Sequence, residues 1–323
     1  MAEIEHGMTR SEADGKLDLT ILIPVLNEAE NMAPLLSKLA ADVAPLGLSY
    51  EVLVVDDGST DGTAAALHAL KPTTPSLRMI SFRRNYGKSA ALSVGFREAR
   101  GSRIVTMDGD LQDDSAEIGP LLKKVEAGLD VVSGWKQDRQ DPISKTVPSK
   151  LFNGVTSIVT GVSLHDMNCG LKAYRAEAAK AVRLRGELHR FIPVLAHWNG
   201  FKVGEIPVVH HRRLHGKTKF GADRFINGFL DLLAVMFMTT SSTRPLHLFG
   251  RMGIFVAFLG FACTVWAAWP WLFLGEGLRL RPSLVLGLVL VILGIQFLSL
   301  GFLGELIAGA RGEEPDYAIR DRI

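Results

Sequence analysis

The chain has 323 residues, 47% of them hydrophobic, with a mean hydropathy of +0.19 and a formal net charge of +2. This length allows one large domain plus an appendage, and the small net charge says little about partners, although we expect no nucleic-acid partner. Only two cysteines occur, Cys169 and Cys263, which excludes a disulfide framework and a CxxC metal site.

Apolar, β-branched segments alternate with helical patterns in the first half of the chain. The predicted strands are Leu19–Pro24, Glu51–Asp56, Leu77–Phe82, Arg103–Met107 and the shorter Asp130–Ser133. The predicted helices are Glu28–Val43, Asp61–Leu70, Ser89–Arg100 and Ser115–Gly128. This alternation predicts an α/β fold with a mostly parallel sheet and helices on both faces. Before it, residues 1–18 are charged and polar, and we expect a flexible N-terminus without a signal peptide.

Two later segments have amphipathic helical patterns. For Ser144–Val159, a core-facing helix and a helix at a membrane interface are both open interpretations. For Ala222–Met238, within a juxtamembrane segment 222–244, we favour the interfacial role.

Two uncharged stretches follow, Met252–Leu274 and Pro282–Gly304. Each is long enough to cross a bilayer core of ~30 Å, which needs ~20 residues. Since only a short connector separates them, we predict a transmembrane hairpin over 246–307 (spans about 250–274 and 282–304) rather than two buried core helices. Basic residues before the first span place the N-terminal part and the tail 308–323 in the cytoplasm, although Arg279 and Arg281 in the connector weaken this argument. The sequence thus predicts a multi-pass protein of the cell's inner (plasma) membrane.

The sequence Asp108-Gly109-Asp110-Leu111-Gln112 directly follows the fourth predicted strand. Ligands of open parallel sheets bind at the carboxyl ends of the strands. Closely spaced carboxylate and amide oxygens suit Mg²⁺ or Mn²⁺ held against a diphosphate. An acidic turn is the alternative for such a motif when it stands alone.

Three further polar motifs follow the other predicted strands, at Ile23–Glu28, Val54–Thr63 and Arg83–Lys88. Strand-end carboxylates followed by Gly and Ser can bind the base or ribose of a nucleotide, and we expect Ser59 or Asp61 to cap the next helix. Basic residues at a helix N-terminus can face phosphate, or simply form a solvated loop. The absence of GxGxxG and of a Walker A motif argues against a dinucleotide site or an ATP P-loop.

In this order the motifs resemble those of the family 2 glycosyltransferases with the GT-A fold, over about residues 18–240. The segments Ser133–Arg139, Asp166–Arg175 and His210–Gly221 are similar to the polyprenyl-phosphate branch of that family. The branch includes dolichyl-phosphate mannose synthases, undecaprenyl-phosphate glucosyltransferases of the GtrB type and aminoarabinose transferases of the ArnC type. The resemblance implies a GT-A catalytic domain over 19–221 that transfers sugar with inversion from a nucleotide diphosphate to undecaprenyl phosphate. UDP-glucose is the leading donor, with GDP-mannose, UDP-aminoarabinose and UDP-N-acetylglucosamine left open.

The resemblance also implies a role for individual residues. Those implied to contact the nucleotide sugar are Pro24, Leu26, Glu28, Asp56, Asp57, Lys88, Asp108 and Gly109. Those implied to bind Mg²⁺ or Mn²⁺ are Asp110 and Gln112. Those implied to contact the phosphates and the acceptor are Lys136, Arg213, Lys217 and Lys219. Catalytic roles are implied for Asp108, Asp110, Asp166 and Arg213, with a turn cap as the alternative for Asp166.

These residue types fit the chemistry of the transfer. The cation would neutralise charge that develops on the leaving diphosphate. An acceptor phosphomonoester has a second pKa of about 6, so it needs no strong general base, and basic residues would bring the two anions together. A processive polysaccharide synthase is disfavoured because Q-x-x-R-W is missing near Glu187–Pro193. A non-catalytic nucleotide-sugar-binding scaffold is disfavoured by the intact D-x-D-x-Q, and a homo-oligomer is left open.

Overall fold

A computed structural model describes residues 17–137, 154, 156–157, 160–184, 186–211, 245–274 and 282–310. The strands are β1 Leu17–Val25, β2 Tyr50–Asp56, β3 Leu77–Ser81, β4 Gly101–Thr106, β5 Val131–Lys136, β6 Lys172–Arg175 and β7 Val203–Val208. The helices of the same unit are α1 Ala29–Val43, α2 Thr63–Leu70, α3 Lys88–Glu98, α4 Ile118–Glu126, α5 Ala176–Ala181 and α6 Ile192–Trp198. Short 3₁₀ turns lie at Ala44–Leu46, Lys71–Thr73, Ser115–Glu117 and Leu188–Phe191.

The seven strands of the described residues form one sheet in the order β3-β2-β1-β4-β6-β5-β7. All neighbours are parallel except β6, which runs antiparallel to both β4 and β5. The predicted α/β fold with a mostly parallel sheet is therefore confirmed, and β1 begins at Leu17, slightly before its predicted start. Neither β6 nor β7 was predicted, because β6 has only 4 residues and β7 contains Pro207, which an edge strand tolerates.

Alternating residues of β1 face opposite layers of the molecule. Leu19, Ile21 and Ile23 have no solvent exposure and belong to the core cluster that includes Leu35 and Leu39 of α1. On the other face, an added Cβ at Gly95 of α3 would lie 2.2 Å from Leu22 Cδ1, so the absence of a side chain there lets α3 approach the sheet. Because successive side chains of β1 point to opposite faces and are buried on both, helices must cover both faces of the sheet.

A separate compact unit contains α7 Pro245–Leu274 and α8 Pro282–Ala310. These helices pack through glycines, since an added Cβ at Gly294 would lie 2.5 Å from Ala257 N and one at Gly260 would lie 2.6 Å from Val291 N. The segments Pro245–Trp271 and Pro282–Ile307 are long and apolar enough to cross a membrane. Only 11% and 17% of their most apolar windows are buried, so their apolar side chains mostly face outward rather than into a protein core.

Several predictions fall on residues outside this description. They include the segment 222–244 and most of 144–159, so the amphipathic helices there stay predictions. The proposed domain limits, the side of the membrane and the tail 308–323 likewise stay predictions.

Candidate active site

The carboxyl ends of β1, β2 and β4 meet at one edge of the sheet, where β6 begins. Asp56 is the last residue of β2 and is only 2% exposed. Its Oδ1 accepts a hydrogen bond from Ser59 N at 3.0 Å, and its Oδ2 accepts one from Ser81 Oγ at 3.1 Å. These bonds fix the orientation of a carboxylate that the sequence assigns to the nucleotide.

Asp57 anchors the basic loop that follows β3. Its Oδ1 accepts from Tyr86 N at 2.7 Å and its Oδ2 from Gly87 N at 2.9 Å. Both oxygens are therefore bonded to the loop that precedes Lys88, the first residue of α3. The structure gives Asp57 this structural role, and its contact with a base or ribose stays a prediction.

Gly58 is required by the same contact between loops. Its φ of +73° is unfavourable for a residue with a side chain, and an added Cβ would lie 2.4 Å from the carbonyl carbon of Arg84. We expect Gly58→Ala to lower the free energy of unfolding by about 2 kcal/mol or more, through backbone strain plus this clash. Gly47→Ala is the matched control, since Gly47 has a φ of +64° but nothing within 4 Å. Equal thermal shifts for the two variants would show that the loop contact contributes nothing.

The loops after β1 and β2 are joined by side-chain hydrogen bonds. Asn27 adopts a φ of +55°, its N–H donates to Ser59 Oγ at 2.8 Å, and its Oδ1 accepts from Thr60 N at 2.8 Å. Asp61 accepts from Ala29 N at 3.1 Å and from Thr63 N at 3.0 Å, the amides of the first residues of α1 and α2. The Asp61 side chain thus bonds to the first residue of the next helix, but Gly62 occupies the N-cap position of that helix. Pro24 lies in β1, and Glu28 N donates to Thr63 Oγ1 at 3.0 Å, so the segment with Leu26 and Glu28 is held at this edge.

Asp108 lies where β4 ends, facing the first turn of α3. Its Oδ1 is 2.5 Å from Lys88 Nζ. An added Cβ at Gly170 would lie 2.6 Å from the Asp108 carboxylate carbon, so only glycine leaves room for this side chain. Gly109 is similarly confined, with Val25 Cγ1 2.7 Å from its Cβ position. At this end of β4, Asp108 is therefore held against Lys88, and Gly109 is packed against the end of β1.

Asp110 and Gln112 flank a residue in an uncommon conformation. Leu111 has a φ of +62°, which a branched side chain rarely adopts and which strained functional loops often show. Gln112 N donates to Asp110 Oδ1 at 3.2 Å, and Gln112 Nε2 donates to His211 O at 3.3 Å. With its nitrogen used in this way, the amide leaves its oxygen as the end that can bind a cation.

These residues fit a hard divalent cation. The described part of the chain contains no group of three or more His, Cys, Asp or Glu that could hold a metal. A cation at Asp110 and Gln112 would therefore take further oxygen ligands from water and from a bound diphosphate. This is the usual arrangement for Mg²⁺, which keeps several waters and binds one or two carboxylates plus substrate phosphates.

Asp113 is a buried carboxylate that sequence reasoning missed. Its Oδ2 accepts from Asp108 N at 3.1 Å, and its Oδ1 lies 3.5 Å from both Lys136 Nζ and His210 Nδ1. Burial alone would raise the pKa of Asp113, but Lys136, His210 and the Asp108 amide hold it well below its usual range. Burial would likewise lower the pKa of Lys136, yet the nearby carboxylates, Asp113 foremost, raise it. Lys136 is thus paired within the protein, and its contact with a phosphate stays a prediction.

The neighbouring Asp114 belongs to a more exposed ionic cluster. Its Oδ1 is 2.8 Å from Lys38 Nζ of α1, and its Oδ2 is 2.9 Å from His211 Nε2. Burial opposes ionisation, but the hydrogen bonds from Lys38 and His211 lower the pKa of Asp114 to about 2. The only hint in the sequence was position, since Asp113 and Asp114 directly follow the D-x-D-x-Q motif.

Asp166 lies in a turn before β6 and is 1% exposed. Its Oδ1 accepts from Asn168 N at 3.2 Å, as in a turn closed by an Asx side chain, and this matches the alternative interpretation of the residue. A catalytic role for Asp166 stays a prediction.

Lys172 was also not assigned a role. It is 3% exposed and donates to Cys169 O, and burial lowers its pKa. It lines a small cavity together with Lys88, Asp108, Asn168 and His189. The predicted acceptor residues Arg213, Lys217 and Lys219 lie outside the described part of the chain, so their placement is not tested.

Comparison with known proteins identifies related sequences. The family model described as "Glycosyl transferase family 2" matches residues 20–183. A dodecaprenyl-phosphate galacturonate synthase of Rhizobium johnstonii is 37% identical over 94% of this chain and 92% of its own length. An undecaprenyl-phosphate 4-deoxy-4-formamido-L-arabinose transferase of Edwardsiella ictaluri is 38% identical over 90% of this chain and 88% of its own.

Solved structures show the same fold at low sequence identity. A mannosyltransferase of Pyrobaculum calidifontis, solved with GDP-Man and Mn²⁺, has a TM-score of 0.50 and 18% identity over 94% of this chain and 78% of its own. The glucosyl-3-phosphoglycerate synthase of Mycobacterium tuberculosis, solved with Mn²⁺, UDP and its product, has a TM-score of 0.53 and 16% identity over 68% of this chain and 80% of its own. The family assignment rests on the matched family model, on the two relatives that cover most of the chain, and on the sheet whose fourth strand is followed by D-x-D-x-Q. The chain belongs to glycosyl transferase family 2 and is a glycosyltransferase with the GT-A fold.

Proposed function

We propose that the protein transfers a sugar, with inversion, from a nucleotide-diphosphate sugar to a polyprenyl phosphate at the membrane. The observation that carries the proposal is the strand edge at which Asp108 contacts Lys88, followed by the loop in which Gln112 N donates to Asp110 Oδ1 at 3.2 Å. The names of the two curated relatives support the acceptor, because each is a synthase or transferase acting on a polyprenyl phosphate. An edge of this kind would seat the diphosphate, and the later basic residues would meet the acceptor.

The mechanism divides the charges between donor and acceptor. A bound Mg²⁺ or Mn²⁺ at Asp110 and Gln112 would act as a Lewis acid that neutralises the leaving diphosphate. Lys88, at the first turn of α3, adds positive charge beside Asp108. Arg213, Lys217 and Lys219 would bind the acceptor phosphate, for which arginine offers a two-point contact. Because that phosphate is largely a dianion at neutral pH, attack needs no strong base.

A second part of the proposal concerns which nucleotide sugar is the donor. The two relatives name galacturonate and 4-deoxy-4-formamido-L-arabinose, and neither name contains glucose. We therefore place UDP-linked galacturonate and formamidoarabinose ahead of UDP-glucose, the donor expected from sequence, which stays in the test together with GDP-mannose and UDP-N-acetylglucosamine.

Membrane attachment follows from the acceptor. A polyprenyl phosphate keeps its tail in lipid, and α7 with α8 are apolar enough to lie there with it. We propose that they anchor the protein as a hairpin whose catalytic domain faces the cytoplasm.

The deciding experiment uses the purified full-length chain with undecaprenyl phosphate, Mn²⁺ and each nucleotide sugar in turn. Mass spectrometry of the lipid fraction is expected to show one lipid-linked sugar that is missing when chelator replaces Mn²⁺. Reactions without acceptor lipid measure background hydrolysis of the donor. If nucleotide sugars bind but no lipid product forms with any of them, the transferase proposal is wrong and the scaffold alternative stands.

A further inference from the structure

A short segment after β7, residues 209–211, runs along the loop after β4 that carries the proposed metal ligands Asp110 and Gln112. Asp113 and His210 form an isolated antiparallel bridge, and Val209 N donates to Glu117 Oε1 at 3.3 Å. His211 is the next residue and the last one described before 245. This segment therefore lies directly beside the loop that carries Asp110 and Gln112.

His211 contacts Gln112 through its backbone in two ways. His211 N donates to Gln112 O at 2.8 Å, and His211 O accepts from Gln112 Nε2 at 3.3 Å. The first bond fixes the backbone of Gln112 and the second fixes which way its amide points. A free glutamine side chain has three rotatable bonds, so this contact removes freedom that metal binding would otherwise have to remove.

The imidazole of His211 holds the same segment in place from the other side. Its Nε2 lies 2.9 Å from Asp114 Oδ2, while Asp114 Oδ1 is 2.8 Å from Lys38 of α1. Lys38 in turn lies 2.7 Å from Asp42, which also accepts from Ser115. The position of His211 is thus tied to helix α1 of the core domain through Asp114.

We propose that His211 and Asp114 are positioning residues that hold Gln112 ready to bind the divalent cation. The inference rests on the proposed metal site at Asp110 and Gln112. Neither residue touches the cation, and each acts through the orientation of the Gln112 amide. Partners that orient metal ligands typically change metal affinity by about 10–100-fold when they are removed.

The test compares variants by direct metal binding. The affinity for Mn²⁺ in the presence of UDP is measured from the electron paramagnetic resonance signal of free Mn²⁺. We expect this affinity to fall about tenfold in His211→Ala and in Asp114→Asn. His211→Gln is expected to recover part of the affinity, because its amide nitrogen can reach Asp114 as Nε2 does. His68→Ala and Glu126→Gln, at exposed positions away from this loop, are the matched controls.

A second measurement needs no metal. Hydrogen exchange in the metal-free protein is expected to be faster at the amide of residue 211 in both test variants, since that amide bonds to Gln112 O. The KM for Mn²⁺ in transfer should rise while kcat at saturating Mn²⁺ changes little. A purely structural role would instead lower kcat and the thermal midpoint together without changing Mn²⁺ binding.

The outcomes separate this inference from the proposed function. If wild-type protein makes the lipid product in the presence of chelator, the metal site itself is wrong. If wild-type protein requires Mn²⁺ but both variants bind it as the controls do, the positioning role of His211 and Asp114 is wrong. Should His211→Ala fail to fold, Asp114→Asn decides alone, since it keeps the side-chain shape and only weakens the pairing.

Discussion

Replacing Asp110 by Asn is expected to lower kcat for sugar transfer by about 10²–10³-fold, because a metal ion contributes several kcal/mol of charge stabilisation to a leaving diphosphate. Asp110 is 8% exposed and its Oδ1 already accepts from Gln112 N, so it is held in place beside the second predicted ligand. Asparagine keeps the shape but removes the negative charge that attracts the cation. The loss is measured as initial rate of lipid-linked sugar formation over a range of Mn²⁺ concentrations.

The controls for Asp110 separate charge from shape. Asp110→Glu keeps the charge and is expected to retain more activity at high Mn²⁺ than Asp110→Asn. Glu126→Gln removes a carboxylate that pairs with Arg103 at the surface, and its rate should match wild type. Unchanged transfer by Asp110→Asn at all Mn²⁺ concentrations would mean that the D-x-D-x-Q motif does not hold the cation.

The parallel part of the fold could be predicted because its signals are local. Strands such as β1, β2 and β4 are short apolar runs followed by helices, and their ends put Asp56, Asp57 and Asp108 at one edge by topology alone. The antiparallel β6 gives no such signal, since Lys172 and Tyr174 are buried there although the first of them is charged. The neighbouring strands bury β6 although its own sequence is not apolar, so it can be recognised only from the tertiary structure.

The partners of the site residues could not be predicted for a related reason. Sequence assigns Lys136 to a phosphate, whereas the structure pairs it with Asp113, and sequence assigns Asp57 to the nucleotide, whereas both its oxygens bind loop amides. The type and position of a charged residue predict that it lies near the carboxyl edge of the sheet. Which group it contacts depends on distances between segments far apart in the chain, and the sequence does not contain them.

Replacing Asp113 by Ala is expected to lower the free energy of unfolding by about 3–5 kcal/mol, because it leaves the Lys136 ammonium buried without its partner. Only 14% of the Lys136 side chain and 2% of the Asp113 side chain are exposed, so water cannot replace the lost contact. Glu126→Ala is the control. The Glu126 side chain, which pairs with Arg103, is 58% exposed, and exposed ion pairs contribute about 0–1 kcal/mol to stability. Thermal unfolding of the purified full-length variants measures both effects.

Two further measurements test the cause of that loss. The double variant Asp113→Ala, Lys136→Met removes both charges of this pair, so stability should rise above that of Asp113→Ala alone. The pKa of Asp113 in the folded protein lies below its ordinary value, and its contribution is therefore present above about pH 4 and is lost as the pH falls further. Wild type should consequently lose more stability than Asp113→Ala between neutral and acidic pH. If the double variant is no more stable than the single one, the unpaired charge of Lys136 is not the cause, and the lost stability comes from the contacts of Asp113 with Asp108 N and His210.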